Sequence, residues 1–403
     1  MIDDTRTKLP LAGVRVLEFG HIAAAPFAGM LLADLGAEVV KVEPPAGDGL
    51  RSWPPIAEGT DGEPFSLNFA SLNRNKRSVV FDLKDPTQLA RVQMLCRSAH
   101  VLIENYRVGA MERLGLGFEH VAVLQPTIVY CSISGYGQTG PYAKYGAFDV
   151  VVQAMSGLMS VTGEADGPPV KCGVPVGDFT AGLYAAYSIL AARITAQREG
   201  RAIHLDCPML DCLLGISALQ TSEYWGTGEA PSRLGARHPR NAPYQDFVAS
   251  DVSFIIAAGN DVLWQQVCEA TGKIELLQDS RFSSIRLRAS HQYELSAILA
   301  PVFLERTAAE WIAIFTRRGV PCGPINTFAD ILADAHVRET GLVRDLPIPG
   351  GSTETVAYPV RFNGSVIDRF GSPPRLGEDT ADVLARWTVA VSANDRANDV
   401  AAK

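Results

Sequence analysis

From Val14 to Pro45 the chain reads VRVLEFGHIAAAPFAGMLLADLGAEVVKVEPP, and the order of elements in this stretch decides the fold class. VRVLEF is an apolar strand, GHIAAAP a turn, FAGMLLADLG an amphipathic helix closed by Gly36, and AEVVKVE a second strand stopped by Pro44 and Pro45. Strand, turn, helix and strand make a βαβ unit. Pro26 suits the first helical turn, where a missing N–H leaves no intrahelical bond unmade.

The alternation continues outward. SVVFDL (78–83), a helical pattern near Pro86–Ala99, HVLIENY (100–106) and IVYCSISGYG (128–137) extend an open, mainly parallel sheet. An apolar helix runs from Thr180 to about Gln197, and GRAIHLDCPMLDCLLGISAL (200–219) gives a strand and a buried helix. The expected fold is α/β: a Rossmann-like large domain whose first part spans residues 1–220. GTGEAPSRLGARHPRNA (226–242) has little periodicity and reads as a linker and loop. It opens a smaller α+β domain, residues 226–330, with two short strands in PYQDFVASDVSFIIAAG (243–259) and helical patterns at Leu263–Thr271, Tyr293–Leu299 and Ala308–Arg318. Residues 340–403, with proline-punctuated strands and a last helix around Thr380–Trp387, return to the large domain.

The 403 residues are 47% hydrophobic and 20% charged, enough for a large core in two domains. A net charge of −8 offers no general attraction to nucleic acid or to an anionic membrane. An anionic ligand therefore needs local basic groups. The segment MIDDTRTKLPLAGV mixes charges and lacks a long apolar run, so neither a secretory signal nor a transit peptide is expected, and the location is expected to be cytoplasmic. Ala181–Ala192 is ended by Arg193 and is too short to span a bilayer. Seven scattered cysteines without CxxC spacing, and seven histidines without HExxH, support neither a disulfide framework nor a metal.

The turn after Gly20 invites a nicotinamide reading, with Glu43 in the place of a ribose-binding acid. Ile22 and Ala25 stand where a GxGxxG loop needs glycines, which argues against it. Asp178 follows Gly177 in KCGVPVGDFTAGLYAAY (171–187) and precedes the longest apolar helix, the position of an N-cap. Its carboxylate either accepts backbone N–H bonds there, or is an ionised nucleophile whose pKa the helix terminus lowers. Spacing alone leaves both open. Arg74, Lys76 and Arg77 in NRNKRS, with Arg107 and Arg113 in ENYRVGAMER, form either solvated surface or a cradle for a phosphorylated ligand at strand ends. His21 is either a structural hydrogen-bonding group or a general acid or base.

Seven ordered segments carry a resemblance: residues 11–45 around the first βαβ unit, NRNKRSVVFDLKDP, VLIENYRVGAMERLGLGFE, ISGYGQTGPY, GVPVGDFTAGLYAA, GVPCGPINTFADIL and PPRLGEDT. Together they resemble the class III CoA-transferases, the formyl-CoA transferase and carnitine CoA-transferase family, from about Leu11 to Trp387. The resemblance implies an interlocked homodimer of ring-shaped chains, acyl-CoA and carboxylate substrates, no nucleic-acid or membrane partner, and coenzyme A as a substrate with no tightly bound cofactor. It implies that Asp178 is the nucleophile and that His21, Ile22 and Ala24 line the CoA site. Asn73, Lys76, Asn105, Tyr106 and Arg113 are implied CoA contacts.

Formyl-CoA transferases have a glutamine at Ala23 or a neighbour and a tetraglycine loop, where this chain has RHPRNAPY (237–244). Members taking succinyl-CoA and a small dicarboxylate, such as glutarate, mesaconate, itaconate, malate or a phenyl-substituted succinate, are the nearer pattern. Ala23, Asp149, Arg237, His238 and Arg240 are then substrate candidates. Two alternatives are an α-methylacyl-CoA racemase and a non-catalytic CoA-binding subunit of a heteromer. The first lacks its histidine, since GAFDVV carries Phe148 there, and the retained GD motif argues against the second.

Overall fold

The computed structural model describes residues 9–60 and 62–387. Of the expected domain spans, residues 1–8, 61 and 388–403 lie outside the described residues. The chain forms two compact units: the first takes residues up to Leu158, Cys172–Ser222 and His336 onward, the second Met159–Lys171 and Glu223–Ala335.

In the first unit β1 (Arg15–Phe19), α1 (Ala24–Asp34) and β2 (Glu38–Glu43) are the opening βαβ unit. A hairpin of β3 (Ile56–Glu58) and β4 (Pro64–Ser66) leads to α2 (Leu67–Asn73), β5 (Lys76–Val80), α3 (Pro86–Ser98) and β6 (Val101–Glu104). Then come α4 (Ala110–Arg113), α5 (Phe118–Leu124), β7 (Val129–Ser134), α6 (Asp149–Met155), α7 (Val176–Glu199), β8 (Ile203–Pro208), α8 (Met209–Ile216) and α9 (Ala218–Thr227), whose residues from Glu223 belong to the second unit. Local chemistry sets several boundaries: Asp85 accepts from the N–H groups of Thr87 and Gln88 at the start of α3, with Pro86 as its first residue.

Six strands make one parallel sheet in the order β5-β2-β1-β6-β7-β8. Helices cover both faces, so the strands read as nearly continuous apolar runs. One face packs on α1 and α7 through Ala24, Ala28, Ala181 and Ala185. The other packs on α3, α5 and the helical residues 380–387, which place Val383 and Trp387 in that core.

In the second unit β9 (Tyr244–Val248), β10 (Ser253–Ala257) and β11 (Cys322–Pro324) form an antiparallel sheet in the order β11-β10-β9. The helices are α10 (Asp261–Thr271), α11 (Ile285–Ser290), α12 (Gln292–Phe303), α13 (Ala308–Arg317) and α14 (Phe328–Ala333). Phe247, Phe254, Phe303, Trp311 and Phe315 dominate its core. Met159–Lys171, read from the sequence as part of the large domain, belongs here because Gly235 N–H donates to the Gly163 carbonyl (2.9 Å). The chain returns through α15 (Ala335–Glu339) and the antiparallel pair β12 (Val343–Ile348) and β13 (Gly351–Val356). Among the described residues no helix is long and apolar enough to cross a membrane.

Candidate active site

Strand order reverses between β1 and β6: the chain leaves β1 towards β2 on one side, while β6, β7 and β8 follow on the other. In open α/β sheets the crevice beyond the C-terminal strand ends at such a point is where ligands bind. A pocket of about 270 Å³ lies here. The turn after β1 (His21–Ala24), the turn after β6 (Asn105–Val108), the end of β7 (Ile133–Gly135) and the segment 145–149 wall it, with Asp178 and Met209. Asn105 ties two of these turns, accepting from His21 N–H (2.9 Å) and donating to the His21 carbonyl (3.0 Å). The His21 ring stacks on Tyr106 at 5.1 Å between centroids. Burial holds its imidazole below the ordinary range, so it is neutral at neutral pH.

Asp178 enters this pocket from the first turn of α7. It is not the N-cap: the helix starts at Val176 after Pro175, and Asp178 is its third residue. What holds the start of α7 is Asp149, whose Oδ1 accepts from Gly177 N–H (2.8 Å) while Oδ2 accepts from the Gln153 amide (2.6 Å). Gly182, one turn further along α7, fixes the approach to α1: a Cβ there would lie 2.9 Å from the Ala24 carbonyl oxygen. This contact brings Asp178 beside the His21–Ala24 turn.

The electrostatics reverse the expectation that a helix terminus lowers the Asp178 pKa. Burial, with a smaller contribution from the Asp149 charge, pushes it up to about 6. Among the described residues, no hydrogen bond or ion pair stabilises the ionised carboxylate. An unpaired, partly desolvated carboxylate that is ionised at neutral pH is more basic, and hence a better nucleophile, than one saturated with hydrogen bonds.

The sequence pattern of CoA-transferase family III matches residues 11–380. The chain belongs to CoA-transferase family III. The CoA-transferase is 40% identical over 389 residues to the succinate–glutarate CoA-transferase of Agrobacterium fabrum, covering 96% of this chain and 97% of that one. It is 38% identical to the succinyl-CoA:glutarate CoA-transferase of Mus musculus, covering 94% and 87%. Among solved structures, a CaiB/BaiF family protein from Brucella suis superimposes with a TM-score of 0.85 at 36% identity, covering 94% of this chain and all 100% of that one.

Of the residues proposed for this CoA-transferase from sequence, His21, Ile22, Ala23, Ala24, Asn105, Tyr106, Asp149 and Asp178 line one pocket. Asn73 and Lys76 do not. Lys76 is buried, ion-paired with Glu18 (2.8 Å) and donating to the Pro26 carbonyl (2.7 Å). Asn73 is buried beside it and accepts from its Nζ (2.9 Å). Both sit under the first turn with their polar groups already matched. Arg113 is exposed on α4 outside the pocket wall, whereas Arg107 is part of that wall. In the second unit the Arg237 guanidinium lies over the Tyr293 ring (4.9 Å), the His238 ring packs against Tyr244, and Arg240 pairs with Glu223 (3.2 Å). Sequence reading missed Tyr145, Ser134 and Met209. Met209 starts the helix after β8, and its place directly after a strand was the available signal.

Proposed function

We propose that the protein transfers CoA from succinyl-CoA to a small dicarboxylate, with coenzyme A as substrate and Asp178 as the covalent carrier. The unpaired Asp178 carboxylate, placed beside the start of α1 in the switch-point pocket, carries this reading. The activities named for the relatives support the donor and the class of acceptor.

An Asp178 oxygen attacks the succinyl thioester carbonyl; the C–S bond breaks and CoA leaves as thiolate, giving a mixed anhydride. The thiolate attacks the aspartyl carbonyl and expels succinate, leaving an aspartyl-CoA thioester. The acceptor carboxylate attacks this thioester, again releasing thiolate and forming a second anhydride. Thiolate attack on the acceptor carbonyl then yields the new CoA ester and frees Asp178. No net proton is consumed, so the protein's task is positioning, charge stabilisation and partial exclusion of water. The start of α1 has no side-chain cap and no acid in its first turn. Its free N–H groups at Ala23 and Ala24 are the donors we assign to the oxyanions.

Arg107 is the cation we assign to the CoA phosphates, and Tyr106 with His21 forms an aromatic wall near it. We further propose a homodimer of interlocked chains. Leu183, Tyr187 and Ile194 form an exposed apolar stripe on α7, and Phe148 at the pocket rim is 73% exposed, surface that a second copy would cover. Seven free cysteines support a reducing, cytoplasmic setting.

Chromatographic detection of new CoA esters, with succinyl-CoA and a panel of dicarboxylates, tests the proposal. We expect one short-chain dicarboxylate to be converted by wild type and not by Asp178→Ala. α-Hydrogen exchange of an acyl-CoA with deuterated solvent, without any acceptor, would instead establish racemase chemistry.

A further inference from the structure

The first βα turn is built against the preference of one of its residues. Ile22 has φ of 62°, in the left-handed region that a β-branched residue avoids. Asn75 and Asn363 are the other non-glycine residues with positive φ among those described, and asparagine tolerates that region. Side chains bind four successive backbone groups leading into residue 22. Lys41 Nζ donates to the Gly20 carbonyl (2.6 Å), and Asn105 takes both polar groups of His21. Ile22 N–H points between the two Asp48 oxygens, at 3.2 and 3.3 Å.

Lys41 and Asp48 end a row of alternating charges, Lys76–Glu18–Lys41–Asp48, with successive contacts of 2.8, 3.0 and 2.9 Å and no solvent exposure of any side chain. The row is neutral overall. Its space is reserved: a Cβ on Gly29 would lie 2.0 Å from Glu18 Oε2. Asp48 is anchored in turn, donating its N–H to Glu43 (3.0 Å) and accepting from Leu50 N–H (2.9 Å). Buried ion rows are poor stabilisers compared with packed apolar side chains, so stability does not account for this one. Its outlet is the backbone of residue 22.

We propose that Lys41 and Asp48 are positioning residues of the active site. The pair clamps the Gly20 carbonyl and the Ile22 N–H, holds residue 22 left-handed, and thereby aims the Ala23 and Ala24 N–H groups into the pocket. This inference rests on the transfer reading given above, and it assigns a function to residues that touch no substrate.

The test is a cycle of Asp48→Ala, which removes both acceptor oxygens, and Ile22→Gly, read by kcat per active site and by amide hydrogen exchange of the peptide covering residues 20–27. An unrestrained non-glycine residue is left-handed only a few per cent of the time, so Asp48→Ala should lower kcat about 30-fold with KM within about threefold. Glycine adopts positive φ about as readily as negative, so in the Ile22→Gly background the same substitution should cost only about threefold. Exchange at residues 22–24 should accelerate in Asp48→Ala. Equal losses in both backgrounds, or wild-type kcat per site with unchanged exchange, would overturn the proposal. If Asp48→Ala does not fold, Asp48→Glu keeps the charge for Lys41, displaces the acceptor from Ile22 N–H, and carries the same expectations. A wild type without CoA transfer defeats the functional reading alone, because the exchange measurement still decides the clamp.

Discussion

Replacing Asp149 with asparagine removes the charge that faces Asp178 but keeps an oxygen to accept from Gly177 N–H. In the wild type, burial first and the Asp149 charge second raise Asp178 from 3.8 to about 6. That displacement disfavours ionisation by at most about 3 kcal/mol, an upper limit because the residue is partly open to solvent. Only the ionised carboxylate attacks a thioester, so kcat/KM should fall about fivefold between pH 6 and pH 5. In Asp149→Asn the acid limb should move to lower pH while staying above the ordinary aspartate range, because burial persists. Initial rates from pH 4.5 to 8.5 for both proteins with the same donor and acceptor are the assay, and the ionisation of the substrates cancels in the comparison. Superimposable profiles, or a wild-type profile flat through pH 6, would refute the reasoning.

Three further expectations follow from the same structure. Asp178 has a folded pKa above its unfolded value, so its contribution to stability is full below about pH 4 and lost as pH rises through about 6; Asp178→Asn should therefore be more stable than wild type at pH 8 by about 1–2 kcal/mol, a gap that denaturant titration should show closing towards pH 4. Glu104 is buried at the end of β6, and burial pushes it up to about 7. Wild type should lose about 2–3 kcal/mol between pH 4.5 and 8 that Glu104→Gln does not lose, measured by the same titrations. Gly182→Ala forces a methyl against the Ala24 carbonyl and Phe27, both 2.9 Å from the new carbon; it should cost about 1–3 kcal/mol and lower kcat, checked by thermal melting and steady-state rates.

The sequence was most informative where structure is local. The βαβ unit at Val14–Pro45 was legible because apolar period, Pro26 and Gly36 act within a few residues. The site was legible where it lies on strand ends, as His21–Ala24 and Asn105–Tyr106 do. Asp178 was recognised as a residue but misplaced as a cap, because the start of α7 is fixed by Asp149, far away in sequence. Its pKa reversed for a related reason: burial is a tertiary property that no spacing encodes. The burial of Lys76 was not legible, because its partner, Glu18, is on another strand of the sheet. The signal was nonetheless present. Glu18 and Lys41 are charges inside apolar strands, and a charge there must be paired.

The most direct measurement of the central claim is intact-protein mass spectrometry after incubation with succinyl-CoA and hydroxylamine, comparing wild type with Asp178→Ala. Covalent carriage predicts a hydroxamate on wild type, mapped to Asp178 by peptide analysis and missing from the variant. CoA transfer by wild type without any adduct, or an adduct that persists in Asp178→Ala, would contradict it.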